Sequence, residues 1–226
     1  MQSKSLQSVG LALVSLIAGV LIGAVGGQVF DISDETVTKT DEQQPTSQTA
    51  AADFRANLNL SAIKYTELTH SAMVGEYGST LASQPKSERA ELASEDLLAV
   101  FGVVYSNEEL EDLSDALSDF NNGLDIYVLA AKEQSASDTA EAESEISEAV
   151  LSLSVSLEEL TEEELSKNVL AEKLNDYTDD LTRAFDAAVA ENYDESYSHL
   201  DESIRKSIAI SDDLAEVVIA VNEDEF

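Results

Sequence analysis

Two kinds of hydrophobic pattern divide this chain. Between Leu6 and Phe30 there is no charged residue, and the centre of that stretch, Val9 to Val25, reads VGLALVSLIAGVLIGAV. Beyond residue 50 the apolar positions instead recur in steps of three and four, the spacing that gathers them on one face of an α-helix. The first such face is Leu60, Ile63, Glu67, His70, Val74, Tyr77 and Leu81, which predicts a helix over about 52–82 stopped by Pro85. A short helix over 94–105 follows, with Ser94 as its cap. The next begins near Ser106 and carries Leu110, Leu113, Leu117, Phe120, Leu124, Tyr127 and Ala131 in one seam. Residues 136–155 align Ala142, Ile146, Ala149, Val150 and Leu153. The end of that segment, VLSLSVSL, also alternates with period two, but no partner strand stands elsewhere, so helix is the reading. A fifth helix starts at Thr161 or Ser166, where Thr161 and Glu164 have the capping-box form, and its seam is Leu170, Leu174, Tyr177, Leu181, Phe185 and Ala188. The last, over 193–221, carries Tyr197, Leu200, Ile204, Ile208, Leu214 and Val218.

Long amphipathic helices with short links bury their faces most simply in an antiparallel bundle. The expected fold is therefore all-α, a four-helix-type bundle of five to six helices after an N-terminal membrane helix. The helices at 52–82 and 106–131 would form one hairpin and the last two another, with 136–155 bridging them, and the two hairpins look like a weak internal repeat.

One stretch interrupts the pattern. Ser118 to Tyr127, SDFNNGLDIY, has the composition of a loop. Phe120 and Leu124 nevertheless keep their register across it, so the helix should run through, with Asn121, Asn122 and Gly123 on the flank away from the seam. Glycine inside a helix costs about 1 kcal/mol relative to alanine, so Gly123→Ala is expected to stabilise. A calcium loop with Gly123 at its sixth position would put Ser118 at the first and Phe120 at the third, and phenylalanine offers no oxygen.

The uncharged N-terminal stretch is long enough to span a bilayer. Lys4 precedes it and Asp31, Asp34 and Glu35 follow, which favours an N-terminus inside and the bulk of the chain outside the cytoplasm. Residues 1–30 then form an anchor or signal sequence, with the membrane contact at 6–28. The apolar stretch is longer than that of a cleaved signal, though cleavage near Gly26 would release the rest as a secreted protein. Gly19, Gly23 and Gly27 recur every fourth residue and offer a face for pairing two membrane helices, although glycine is common in such helices without any pairing. Residues 31–50 are polar and without periodicity, a flexible linker, and 51–226 make the folded domain. Asn59-Leu60-Ser61 is a formal glycosylation triplet, but it falls on a predicted helix.

Charge changes the picture more than composition does. The chain has 12 Lys and Arg against 46 Asp and Glu, for a net charge of −34. The acids are spread along the polar faces, so they read as a solvated, salt-tolerant surface; a protein partner with a basic surface is a second use for them, and diffuse cation binding a third. Nucleic acid is excluded as a partner, since nothing would neutralise its phosphates. Absence of cysteine excludes disulfides and thiolate chemistry.

Candidate chemistry is sparse. Glu67 and His70 have the Glu-x-x-His spacing of carboxylate-bridged di-metal bundles and fall in a predicted seam. Such centres need the motif twice with further carboxylates. The only other histidine is His199, and Ser196 stands three residues before it. The pair is therefore read as a solvated or hydrogen-bonded one, and no catalytic, cofactor-binding or metal residue is assigned. No nucleophile elbow or phosphate-binding glycine loop appears, and the chain is not read as an enzyme.

Several short stretches resemble an uncharacterised family of small prokaryotic helical-bundle proteins with an inward histidine pattern. They are EDLLAVFGVVYS (95–106), LSDALSDFNNGLDIYVLAAK (113–132), LAEKLNDYTDDL (170–181) and YDESYSHLDESIRKSIAISDDLAEVV (193–218). Phe120, Tyr177, Ile204 and Lys206 stand where that family has histidine; His70 alone matches one, with Thr69 in place of the acid before it. The resemblance implies a bundle whose interior histidine cluster has given way to an apolar and aromatic core.

The expected role is a membrane-anchored, extracytoplasmic bundle of structural or protein-interaction type, without a cofactor. The alternative is a small-molecule or metal-binding sensor domain. An apolar or aromatic patch left exposed on one helix face would favour the first, a cavity inside the bundle the second.

Overall fold

The computed structural model describes residues 49–78 and 83–226. The predicted membrane span at 6–28, its glycines Gly19, Gly23 and Gly27, most of the linker, and Leu81 lie outside the described residues. Among the described residues there are six α-helices and no strand: α1 (Ala50–Tyr77), α2 (Ser83–Phe101), α3 (Glu111–Glu133), α4 (Ala136–Leu160), α5 (Lys167–Val189) and α6 (Tyr193–Val221), closed by a 3-10 turn at Glu223–Glu225. None is long and apolar enough to cross a membrane.

The helices pair in chain order. α1 packs on α2, α3 on α4 and α5 on α6; α4 then meets α5, and α6 meets α1. α1 also touches α3 and α5, which sets it at the centre. The expected pairing of the first and third long helices is thus replaced by three consecutive hairpins, while the α5–α6 hairpin is as expected. Link length explains the outcome, because short connections make sequence neighbours the antiparallel partners. Only Gln134 and Ser135 separate α3 from α4; Gln134 turns left-handed and Ser135 caps α4 by accepting from the Asp138 N–H.

The first two helices divide differently from the prediction. α1 stops at Tyr77, before the expected end, and Pro85 lies in the first turn of α2, where its missing N–H costs nothing. Ser94 is not a cap but sits inside α2, with its hydroxyl on the Ala90 carbonyl. Ser106 and Glu109 bond each other reciprocally in the turn before α3. Thr161 closes α4 instead of opening α5, which Ser166 caps.

The seams of α3, α4 and α5 are buried largely as read, but those of α1 and the first half of α6 are rotated. Leu60 is half exposed, and the buried face of α1 is Leu58, Ser61, Ala62, Tyr65, Thr66, Thr69 and Met73. On α6 Tyr197 is exposed, and Ser196, Ser203, Ser207 and Ser211 are buried. Small residues let these helices approach closely, and most of their hydroxyls find a carbonyl: Thr66 donates to Ala62, Ser211 to Ser207 and Ser196 to Ala184 of α5. Burying such a hydroxyl carries little penalty once its proton is placed.

The SDFNNGLDIY stretch is helical, as its register required, but Gly123, read as lying on the outer flank, faces inward along with Phe120, Leu124 and Tyr127. Gly123 is buried against α4, and a Cβ added there would stand 2.8 Å from Ile146 Cγ1 and 3.2 Å from the Ile146 backbone nitrogen. The gain in helix propensity expected from alanine is smaller than the cost of pushing two helices apart. Gly123→Ala should therefore lower stability, by about 1–3 kcal/mol. Its denaturation midpoint should fall. A midpoint that rises would mean α4 yields freely at this contact.

Candidate functional site

All six helices contribute to one cavity. It measures about 100 Å³, and its walls include Leu58 and Ala62 from α1, Leu97, Leu98 and Phe101 from α2, and Leu113, Leu117 and Phe120 from α3. Leu153 and Leu157 come from α4, Leu174 and Tyr177 from α5, and Ile210 and Leu214 from α6. Phe120 and Tyr177 both line it, with ring centroids 6.5 Å apart. These are two of the positions where the resemblance placed interior histidines, and both are buried aromatics.

The few polar groups in the wall are turned away from the space. The Thr66 hydroxyl donates to the Ala62 carbonyl at 2.9 Å, Ser207 to Ile204 and Ser211 to Ser207, each within its own helix. Tyr177 OH lies 3.4 Å from Thr66 Oγ1, and burial pushes its pKa up to about 12, so it stays protonated. A void walled by carbon with its hydroxyls already satisfied gives water no partners, and such cavities stay dry.

Beside the cavity runs a chain of side-chain bonds that joins three helices. Tyr65 OH of α1 donates to Asn121 Oδ1 of α3 at 2.7 Å, and Asn121 Nδ2 donates to Ser94 Oγ of α2 at 3.1 Å. The asparagine read as lying on an outer flank is therefore the joint between α1, α2 and α3. A polar cleft lies next to it, bordered by Thr69, Glu91, Ser118, Asn121, Asn122 and Asp125.

The sequence-selected pair lies off the inward face. Glu67 is exposed on α1 and His70 is only partly buried, because the inward face runs through Tyr65, Thr66 and Thr69 instead. Among the described residues no three His, Asp or Glu side chains come together in a way that could hold a metal ion.

His199 instead joins a charge cluster that spacing did not reveal. Its Nδ1 lies 3.1 Å from Asp180 Oδ1, and Lys206 Nζ lies 2.7 Å from Asp180 Oδ2. Asp180 is on α5 and only 5 % exposed, whereas both partners are on α6. The signal was available as a carboxylate one turn after Tyr177 on a buried face, but its partners lie across a helix contact. Burial alone would push the Asp180 carboxyl up; hydrogen bonds from Lys206 and His199 outweigh it and hold the group below its ordinary value. The cluster ties α5 to α6.

No family model matches the chain, nor does any curated protein or solved structure.

The Asp180 cluster makes a stability prediction. Because the folded carboxyl titrates below its unfolded value near 3.9, its contribution is complete above that pH and disappears as pH falls through the lower folded value. Asp180→Asn should cost roughly 2 kcal/mol at neutral pH, less than the ~3–5 kcal/mol of a fully buried pair because Lys206 and His199 reach solvent. Measured from neutral pH down to pH 2, the difference between the two proteins should shrink. A constant difference would mean that the charge of Asp180 contributes nothing.

Proposed function

We propose that residues 51–226 are a non-catalytic binding domain that takes a small apolar molecule into the core cavity, held at the outer face of a membrane by residues 6–28. The cavity is the observation that carries this reading. At about 100 Å³, an empty void costs roughly 2 kcal/mol of stability, which a self-repelling acidic domain can recover by filling it. The walls suit a single aromatic ring or a short hydrocarbon chain and suit no ion, since burying a charge there would find no counter-charge. A larger apolar cavity of ~150 Å³ of the same lining chemistry takes benzene or xenon.

The protein-interaction reading has a narrower support: Tyr193 and Tyr197, one turn apart on α6, are both exposed, while the other large exposed apolar side chains stand singly, Leu60 on α1, Leu92 on α2, Val103 after it, Leu129 on α3, Leu151 on α4 and Val169 on α5. Single exposed apolar residues of this kind are ordinary. The charge and hydropathy of the N-terminus remain the support for the anchor.

Benzene near saturation should raise the melting temperature of the domain by ~3 °C or more, as expected for a ligand that binds only the folded state. Leu117→Phe, which projects a ring into the cavity, should keep or raise stability in buffer and abolish the response to benzene. A melting temperature indifferent to benzene, or a Leu117→Phe protein that still responds, would remove the cavity as the binding site.

A further inference from the structure

We infer that α1 and α6 present a groove on the outside of the bundle that receives an amphipathic helix of a partner protein, apolar along one face and edged with arginine or lysine. The groove is separate from the core cavity and is independent of what fills it. Three observations support it.

The first is an apolar stripe that the fold leaves outside. On α6, Tyr193, Tyr197, Leu200, Ile204 and Ile208 recur in steps of four and three, while Ser196, Ser203, Ser207 and Ser211 take the inward positions. Tyr193 and Tyr197 are 60 % and 67 % exposed. Leu200, Ile204 and Ile208 are half-buried, and so is Ile63 of α1, yet these four stand outside the core cluster and the residues packed against it. Large apolar side chains aligned on one face outside the core mark an interaction surface, unlike the same residues scattered singly.

The second is that this stripe adjoins α1. The two helices pack together and run antiparallel. Phe54 meets Phe226, and further along α1 Asn59 Nδ2 donates to Asp212 Oδ1 at 2.9 Å, with Arg55 reaching the same carboxylate. Ile63 stands one turn after Asn59, and Ile208 and Ile204 stand one and two turns before Asp212. From that junction the two faces therefore continue side by side, through Glu67 on α1 and towards Tyr197 and Tyr193 on α6. A helix laid along such a pair of neighbours inserts side chains spaced three and four apart.

The third is charge. Glu67 of α1 and Asp194 and Asp201 of α6 border the stripe and are exposed, and the described ion pairs include none of them. Nearby bases are engaged elsewhere: Arg205 pairs with Glu202, and His199 and Lys206 turn to Asp180. Lys64 stands on the side of α1 away from Asn59. An apolar track edged by unpaired carboxylates suits a helix edged by arginine, whose guanidinium also stacks on tyrosine rings. It disfavours a second copy of this chain, which would bring a like charge of −34.

The probe is a synthetic helix with leucine along one face and arginine along both edges, labelled for fluorescence anisotropy and titrated onto the full chain. One control peptide scatters the same leucines around the helix, and another replaces arginine with glutamate. The probe should bind, the scattered peptide at least tenfold more weakly, and the glutamate peptide not measurably. Tyr193→Ser combined with Tyr197→Ser changes only exposed positions and should weaken the probe at least tenfold, whereas Leu151→Ser on α4 should leave it unchanged. A photoreactive group on the probe should label α1 and α6 near Ile63, Ile204 and Tyr197. Equal binding of the ordered and scattered peptides, or of the parent and the tyrosine variant, would mean diffuse attraction to the acids and overturns the groove. Labelling confined to other helices overturns it in the parent chain alone, whatever the variants do. A glutamate peptide that binds as tightly overturns the basic partner. A full chain that ignores the probe also overturns it, and a dimer lost in the tyrosine variant would then give the groove to a second copy.

Discussion

Self-repulsion is the constraint under which every other feature of this domain operates. With 46 carboxylates against 12 lysines and arginines, the surface as a whole opposes compaction, and net charge of this size destabilises a folded chain. Exposed ion pairs such as Arg205–Glu202 or Lys173–Asp213 contribute little in water. Cohesion has to come from the apolar interior and from helices brought close enough for dense contact. That is where glycine and serine enter. Gly123 lets α3 lie against the backbone of α4, and the buried serines of α6 bring it close to its neighbours at the centre of the bundle. Asp180, the one strongly buried carboxylate among the described residues, is placed where two of the scarce basic side chains can reach it.

The same constraint gives the cavity its meaning. A domain that depends on its interior would be expected to fill it, yet side chains from six helices leave a carbon-walled space bordered by Phe120 and Tyr177. The hydroxyls nearby are turned back onto their own helices, so neither water nor an ion is invited in.

Much of the fold was legible in the chain, and the errors share a cause. The seams from Leu110 to Tyr127, Ala142 to Leu153 and Leu170 to Phe185 were read correctly because bulky apolar residues occupy the buried positions there. α1 and α6 were read one position out of register because Ser61, Thr66, Ser203 and Ser207 look polar in a sequence and behave as small residues in a close contact. That rotation also carried Glu67 and His70 into an imagined interior. Gly123 was seen to lie in a helix, but the reason for a glycine, the α4 backbone beside it, belongs to tertiary packing that spacing does not encode. The Asp180 cluster and the Tyr65–Asn121–Ser94 connection join residues 19 to 56 positions apart and follow from the hairpin order. The aromatic character of the interior at Phe120 and Tyr177 was legible; the space between them was not, since a sequence states which residues face inward and not how completely they fill what they enclose.

The central claim is that the core holds an empty, reachable, apolar site. A crystal of the domain exposed to pressurised xenon tests it without reference to any natural ligand. Xenon should appear at one interior position, bordered by Phe120, Tyr177 and Leu97, with the six helices otherwise unmoved. An interior without xenon, or a core in which the side chains have collapsed to fill the space, would contradict it.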